Sequence, residues 1–275
     1  MNNFRSTAIF RALRFIKHSV RNFINETSGK RPRIPVEGTS KSLLTLGTEY
    51  GGWTFSDEPN LKGGTIVSCG AGEDISFDVL FSAKYGAKVI IVDPTPRAVK
   101  HVKEIIALIT ESARQGTLGS LELYGIKDFS KADPSKLLLL ERALWSERCN
   151  LKLFPPKNPD HVSHSALDFQ NDYSQKGEFI EVKALSYNDL FDEFDIDEVS
   201  LLKLDIEGAE VEVLNSLSEK DALPLQICVE YDELLKPNRL AARRVRETHD
   251  HLTHLGYSAI YKDALGVNFL YIKNT

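Results

Sequence analysis

The sequence predicts an α/β fold built on a doubly wound sheet, mostly parallel, with an antiparallel strand near its C-terminal end. Three observations carry this. Short apolar runs of buried-strand size at residues 65–69, 88–92, 137–144, 201–205 and 225–230 alternate with segments of helical periodicity. A Gly-Ala-Gly turn follows the first run at once, as a strand–loop–helix unit requires. Two strand-like segments, 257–261 and 267–272, close the chain with a gap short enough for a hairpin, which brings in an antiparallel strand.

The elements follow in order. Ile9, Leu13, Ile16, Val20 and Phe23 fall at helical spacing with arginines between them, and Pro32 and Pro35 end that segment. Asp74 is placed to cap a helix over 75–85, which stops at Gly86. Thr95-Pro96 reads as an N-cap with proline at the first helical position, and Val99, Val102, Ile106 and Ile109 form one face of the helix beyond. A stretch dense in Pro, Asn, Asp, Ser and His, 154–175, reads as a long loop, a length more often functional than idle. Helices are expected over 209–217 and 239–255, the latter stopped by Gly256. The division expected is a basic helical extension over 1–49 and one α/β domain over 50–275.

Composition bounds the class. The chain has 275 residues, 42% hydrophobic and 27% charged, which excludes disorder throughout and any collagen-like repeat. No apolar run approaches the roughly 18–20 residues of a membrane-spanning helix. A net charge of −5 gives no general attraction for nucleic acid. The charge is uneven, however: Arg5, Arg11, Arg14, Lys17, Arg21, Lys30, Arg31 and Arg33 face one acid, Glu26, in the first 33 residues. A basic amphipathic helix of this kind either makes peripheral contact with an anionic membrane or packs on the body of the domain. Cys69, Cys149 and Cys228, widely spaced and in or beside strands, read as reduced thiols. No apolar core follows the N-terminal charges, so no secretory signal is expected and the cytoplasm is the expected location, with possible membrane association.

Two motifs carry chemistry. Gly70, Ala71 and Gly72 let the backbone approach a ligand at a helix N-terminus. Asp93 ends the second strand 21 residues beyond Gly72, where an acid can accept from ribose hydroxyls. Glu73 and Asp74 stand where a pyrophosphate would sit and would repel it. A cation with a ribose fits better, and S-adenosylmethionine has both a sulfonium and an ammonium. The second motif, Leu202-Lys203-Leu204-Asp205-Ile206-Glu207-Gly208-Ala209-Glu210, puts three acids just beyond the fourth strand, more than helix capping requires.

The segment from Leu204 to Glu210 resembles the signature of the FkbM family of S-adenosylmethionine-dependent methyltransferases. The segments 68–78, 92–97, Tyr50-Gly51-Gly52-Trp53, 159–165 and Glu230-Tyr231-Asp232 are similar to a bacterial branch of it. The resemblance runs from about Tyr50 to the C-terminus and leaves out the basic N-terminus. It implies a class I methyltransferase (Rossmann-like) fold and O-methylation of a hydroxyl on a sugar, glycan or other small molecule. By position, Gly70, Gly72 and Glu73 would meet the methionine part of the cofactor, Asp93 the ribose, and Asp205 the region of the transferred methyl. Trp145 would flank the adenine. Many relatives carry Asp, Asn or Gly where this chain has Ser68 and Cys69, and others have Phe-His in place of Tyr231-Asp232.

An acceptor hydroxyl is a weak nucleophile and gains from a base within hydrogen-bond reach. His164, Asp205 and Glu230 are the catalytic candidates, with His161, His164 and Glu207 facing the acceptor. A divalent ion on Asp205, Glu230 and Asp232 is an alternative way to acidify the hydroxyl, although the leading expectation is no metal. His249, His251 and His254 read as helix surface. Two other functions compete: a methyltransferase-like scaffold without catalysis, and a nucleotide-cofactor oxidoreductase, which the missing third glycine disfavours.

Overall fold

A computed structural model describes residues 17–38, 42–127, 129–155, 164–166 and 179–274. The apolar runs become the strands β1 (Thr65–Cys69), β2 (Lys88–Val92), β3 (Leu137–Leu140), β4 (Leu201–Leu204) and β5 (Gln226–Glu230), joined by β6 (Tyr257–Lys262) and β7 (Asn268–Lys273). They form one seven-stranded sheet in the order β6-β7-β5-β4-β1-β2-β3. β1 to β5 pair in parallel, while β7 runs antiparallel to both β5 and β6. This is the mostly parallel sheet with an antiparallel strand near the C-terminal end that the sequence predicts, and the class I methyltransferase-like arrangement that the family resemblance implies.

Strand periodicity sends alternate residues to opposite faces, and both faces are covered. Ile66, Val89, Ile91 and Leu201 enter one core with α1 (Ser76–Tyr85) and α2 (Pro96–Gln115). Their neighbours Val67, Ile90, Val92 and Leu202 enter the other. That second core is closed by α3 (Asp189–Phe194), α4 (Glu210–Ser216) and α5 (Arg239–His254). Gly86 and Gly116 end α1 and α2 in the left-handed conformation, with φ of 61° and 70°. The buried stripe of α2 is Ala98, Val102, Ile105 and Ile109, one position round from the expected row at two of its four places.

Three features depart from expectation. First, Ala143–Leu144, expected within the third strand, forms a separate three-stranded sheet with Cys149–Leu153 and Ile180–Leu185, two segments on either side of the expected loop where no element is expected. Its signal was the alternation of charged and apolar residues in Cys149–Leu153 and Ile180–Leu185. Second, an antiparallel hairpin of Leu43–Leu46 and Trp53–Ser56 spans the expected boundary at 49/50. The buried Gln226 side chain pins this hairpin to β5, accepting from Ser56 N and donating to Ser56 O, both at 2.9 Å.

Third, residues 17–27 form a helix that docks by its polar side. Asn22 donates to Ala264 O at 2.9 Å, and Glu26 pairs with Lys262 at 3.0 Å. The Arg31 guanidinium, buried just beyond, donates to the carbonyls of Gly266 and Leu234. Val20, Phe23 and Ile24 are left outside at 54%, 67% and 57% exposure. Ile9, Leu13 and Ile16 lie outside the described residues.

Arg31 is the main fastening of this segment. Arg31→Ala should lower stability by about 2 kcal/mol, since charge-assisted hydrogen bonds are lost and two carbonyls are left unpaired. Urea denaturation measures the loss, and amide exchange over 17–27 should quicken with it. Unchanged exchange there would mean that the helix is held by something else.

Candidate active site

The site forms where β1 and β4 end side by side. Gly70 has a φ of +85°, and a Cβ there would lie 1.7 Å from the Asp205 carbonyl oxygen. Only glycine allows the two strand ends to approach this closely. Asp205 N closes the contact by donating to Cys69 O at 3.1 Å. Asp93, at the end of β2, fastens the loop: Oδ2 accepts from Ala71 N at 2.9 Å and Gly72 N at 3.3 Å. Its Oδ1 accepts from the Thr95 backbone N–H and hydroxyl, at 2.8 and 2.6 Å.

A cavity of about 640 Å³ opens above this loop. Gly70, Ala71 and Gly72 line its floor, and Leu144, Leu151 and Leu153 of the small sheet give it an apolar wall. Tyr50 and Trp53 border it from the N-terminal hairpin. Thr48 holds that hairpin's turn to the loop, with its hydroxyl donating to Asp74 Oδ2 at 2.6 Å and its N–H to the Ser76 hydroxyl at 2.9 Å. Asp74 in turn accepts from Ser76 N at 2.8 Å, at the first residue of α1.

One end of the cavity is acidic. Asp205, Glu207, Glu230 and Asp232 all line it. Glu207 takes a left-handed φ of 54°, uncommon outside glycine, and its carbonyl accepts from the Ser165 hydroxyl at 2.6 Å. Ser165 also pairs with Phe154 through two backbone hydrogen bonds, which carries His164 to the cavity wall. Glu210 is 1% exposed and braces the turn, accepting from Ile206 N at 2.7 Å and Gly208 N at 2.9 Å. Among the three acids of the motif its work is therefore structural.

Burial drives the electrostatics. Desolvation, reinforced by Asp205 and Glu207, pushes the Glu230 carboxyl up to about 8. Asp232, also buried, close to Glu207 and hydrogen-bonded to it, is pushed up to about 11. Asp205 is raised by burial, against which the Lys203 ammonium 3.7 Å away pulls down. Lys203, 4% exposed, donates to the carbonyls of Cys69 and Gly70 and lies 5.2 Å from the centre of the Trp53 ring. Asp78 is raised by burial and lowered by Lys203 and the nearby Ser68 hydroxyl. It is 3% exposed and lines the cavity, and its Oδ1 completes no hydrogen bond of normal geometry.

The structure brings Gly70, Ala71, Gly72, Asp93, Asp205, Glu207, Glu230 and His164 to one cavity. It turns Glu73 away, into a two-pronged pair with Arg97 at 2.6 and 2.7 Å, so that Glu73 is not among the lining residues. Trp145 is also absent from the lining, where Ala143 and Leu144 stand instead. His161 lies outside the described residues. Among the described residues no three His, Cys, Asp or Glu side chains are grouped to hold a metal ion. His251 Nε2 donates to Leu217 O at 2.9 Å while His254 faces Glu219 at 3.7 Å, so these histidines serve separate contacts.

Sequence reasoning gave no role to Lys203 or Asp78. Both carried a signal: a single charge in the otherwise apolar run Leu201–Leu204, and an acid among the buried positions of α1.

The model of the methyltransferase FkbM domain matches residues 68–258. The structure of methyltransferase FkbM from Methylobacillus flagellatus KT is similar at 13% identity and a TM-score of 0.43, covering 77% of this chain and 44% of that one. This chain thus spans less than half the length of that protein. A 16S rRNA (adenine(1408)-N(1))-methyltransferase from Catenulisporales acidiphilia is similar at 12% identity and a TM-score of 0.30, over 85% of this chain and 99% of that one. No curated protein matches the sequence.

The raised Asp232 has a consequence for stability. Its folded-state value of about 11 lies far above that of an exposed carboxyl. Its contribution is fully present at about pH 4 and is lost as the pH rises toward the folded value. Asp232→Asn should therefore raise the melting temperature at pH 9 by about 3 °C, the shift expected for about 1 kcal/mol in a chain of this size. At pH 4 the two proteins should melt together. Circular dichroism at both pH values checks this, and an equal difference at both would contradict it.

Proposed function

The chain belongs to the FkbM methyltransferase family, and on that footing we propose that it transfers the methyl group of S-adenosylmethionine to a hydroxyl of a sugar, glycan or other small molecule. The observation that carries the reading is the cavity floor: a bare Gly70–Gly72 loop at the end of β1, beside Asp205 and beneath a buried, unsatisfied Asp78 oxygen. The acids Asp74, Asp78 and Asp205 around this floor favour a cation over a pyrophosphate.

The residues fit the cofactor. The loop backbone would carry its methionine part, and Asp78 would accept from its ammonium. Asp93 borders the same space, but its four acceptor positions are already met by the loop and Thr95. A ribose hydroxyl would share Oδ2, where the 3.3 Å bond from Gly72 N is the longest of the four. The apolar wall of Leu144, Leu151 and Leu153 suits a base, a role the sequence assigns to Trp145.

When bound, S-adenosylmethionine supplies an electrophilic methyl group on a sulfonium. The chain's own work is to align the acceptor and take its proton, because an in-line displacement gains most from positioning. Glu230 is the base best placed for this, since a carboxylate held near 8 grips a proton far better than an exposed one. The acceptor proton passes to Glu230 as its oxygen gains the methyl. His164 on the wall and Asp205 beside the floor orient the acceptor and the transferring group.

Two measurements test this. In titration calorimetry S-adenosylmethionine and S-adenosylhomocysteine should bind while NAD does not, and Asp78→Asn should weaken both by roughly 10- to 100-fold, the worth of a hydrogen bond to a charged group. Preference for NAD would favour an oxidoreductase, and binding without turnover a scaffold. In a ¹³C-methyl transfer assay the product should carry a methoxy carbon, and an N-methyl signal would overturn the acceptor class. The kcat/KM for the cofactor should rise with pH through about 8 as Glu230 loses its proton, and Glu230→Gln should remove that rise.

A further inference from the structure

The helix at 17–27 turns the usual logic of amphipathic packing round. Asn22, Glu26 and the following Arg31 engage the body, while Val20, Phe23 and Ile24 face away from it. In the sequence the same row carries back through Ile16, Leu13 and Ile9. Exposed apolar side chains gathered on one helix face mark a surface that meets something other than water.

The charges beside this face indicate what. Lys17, Arg21, Lys30 and Arg33 are exposed along or just after the helix. At its C-terminal end a hollow of about 360 Å³ is lined by Thr27, Ser28 and Gly29 on one side and by Arg239, Arg243 and Arg246 of α5 on the other. Arg243 reaches Glu247 at 3.8 Å, and Arg239 and Arg246 have no ion pair among the described residues. Arg239 sits in the first turn of α5, where the helix dipole disfavours a cation, so helix stability does not explain it.

We propose that the outward face of residues 17–27, with the arginines of α5 beside it, docks on a membrane surface rich in anionic lipid. Phe23, Val20 and Ile24 enter the headgroup boundary, and the hollow at Arg239, Arg243 and Arg246 receives a phosphate headgroup. A second copy of the chain is a poor occupant, because a symmetric contact would set this basic surface against itself. Residues 1–16 are no better, since they bring Arg5, Arg11 and Arg14 and continue the apolar row. Arg31, which holds the helix, also holds the Leu234 carbonyl, and the next two residues, Leu235 and Lys236, line the cavity. The helix is thus anchored beside the lining of the cavity, although the proposal stands independently of methyl transfer.

Flotation of the full chain with vesicles tests it. The chain should bind vesicles of phosphatidylcholine with phosphatidylglycerol, bind phosphatidylcholine alone at least 10-fold more weakly, and lose binding as salt rises. Phe23→Asp with Ile24→Asp, and separately Arg243→Glu with Arg246→Glu, should each weaken binding 10-fold or more while thermal melting shows an intact fold. No vesicle binding by the wild type, or binding by either variant at the wild-type level, overturns the proposal. So does a wild-type dimer that becomes monomeric on the Phe23/Ile24 substitution, which would assign the face to a second copy. Inorganic phosphate that protects the arginine hollow without any vesicle binding would likewise overturn it.

Discussion

The Lys203 ammonium lies near the Trp53 ring and donates to the carbonyls of Cys69 and Gly70, so the end of β1 is tied to β4 by a charge as well as by the strand ladder. The same group is the positive charge that holds down Asp78 and Asp205 in a region where burial alone would keep them protonated. Without it the floor of the cavity would present stacked carbonyls and acids to one another. The close approach of Gly70 to Asp205, which glycine allows, lies beside this charge and brings loop and motif together.

The acidic end of the cavity shows the opposite balance. Asp205, Glu207, Glu230 and Asp232 crowd together there, and burial makes a negative charge on Asp205, Glu230 or Asp232 more expensive than it would be in water. Folding alone gains nothing from this surplus. A cationic ligand would relieve it. Glu210 belongs to the cluster by position and yet spends both oxygens on the backbone of the turn, so that the left-handed Glu207 keeps its place.

Much of the fold was legible because parallel strands covered on both faces must be apolar throughout, and such runs stand out in a sequence. Gly70, Gly72 and Asp205 were legible because strand ends with glycine or acid have few other uses. The direction of side chains was not. Glu73, Asp74 and Asp78 share one short segment, and only the partner Arg97, 24 residues beyond Glu73, decides that Glu73 turns outward. Trp145 failed to meet the cavity because the chain enters the small sheet at Ala143–Leu144, an element too short to announce itself. The helix at 17–27 had a clear apolar face, but periodicity cannot say whether that face meets protein or the outside.

The small sheet of Ala143–Leu144, Cys149–Leu153 and Ile180–Leu185 pairs only within itself among the described residues, while lending Leu151 and Leu153 to the cavity. Cradle and wall are thus built on separate ladders. One can be recut without unpicking the other, so the apolar lining of the cavity could be redrafted or inherited through this insert alone, with the Gly70–Gly72 cradle passed down unaltered.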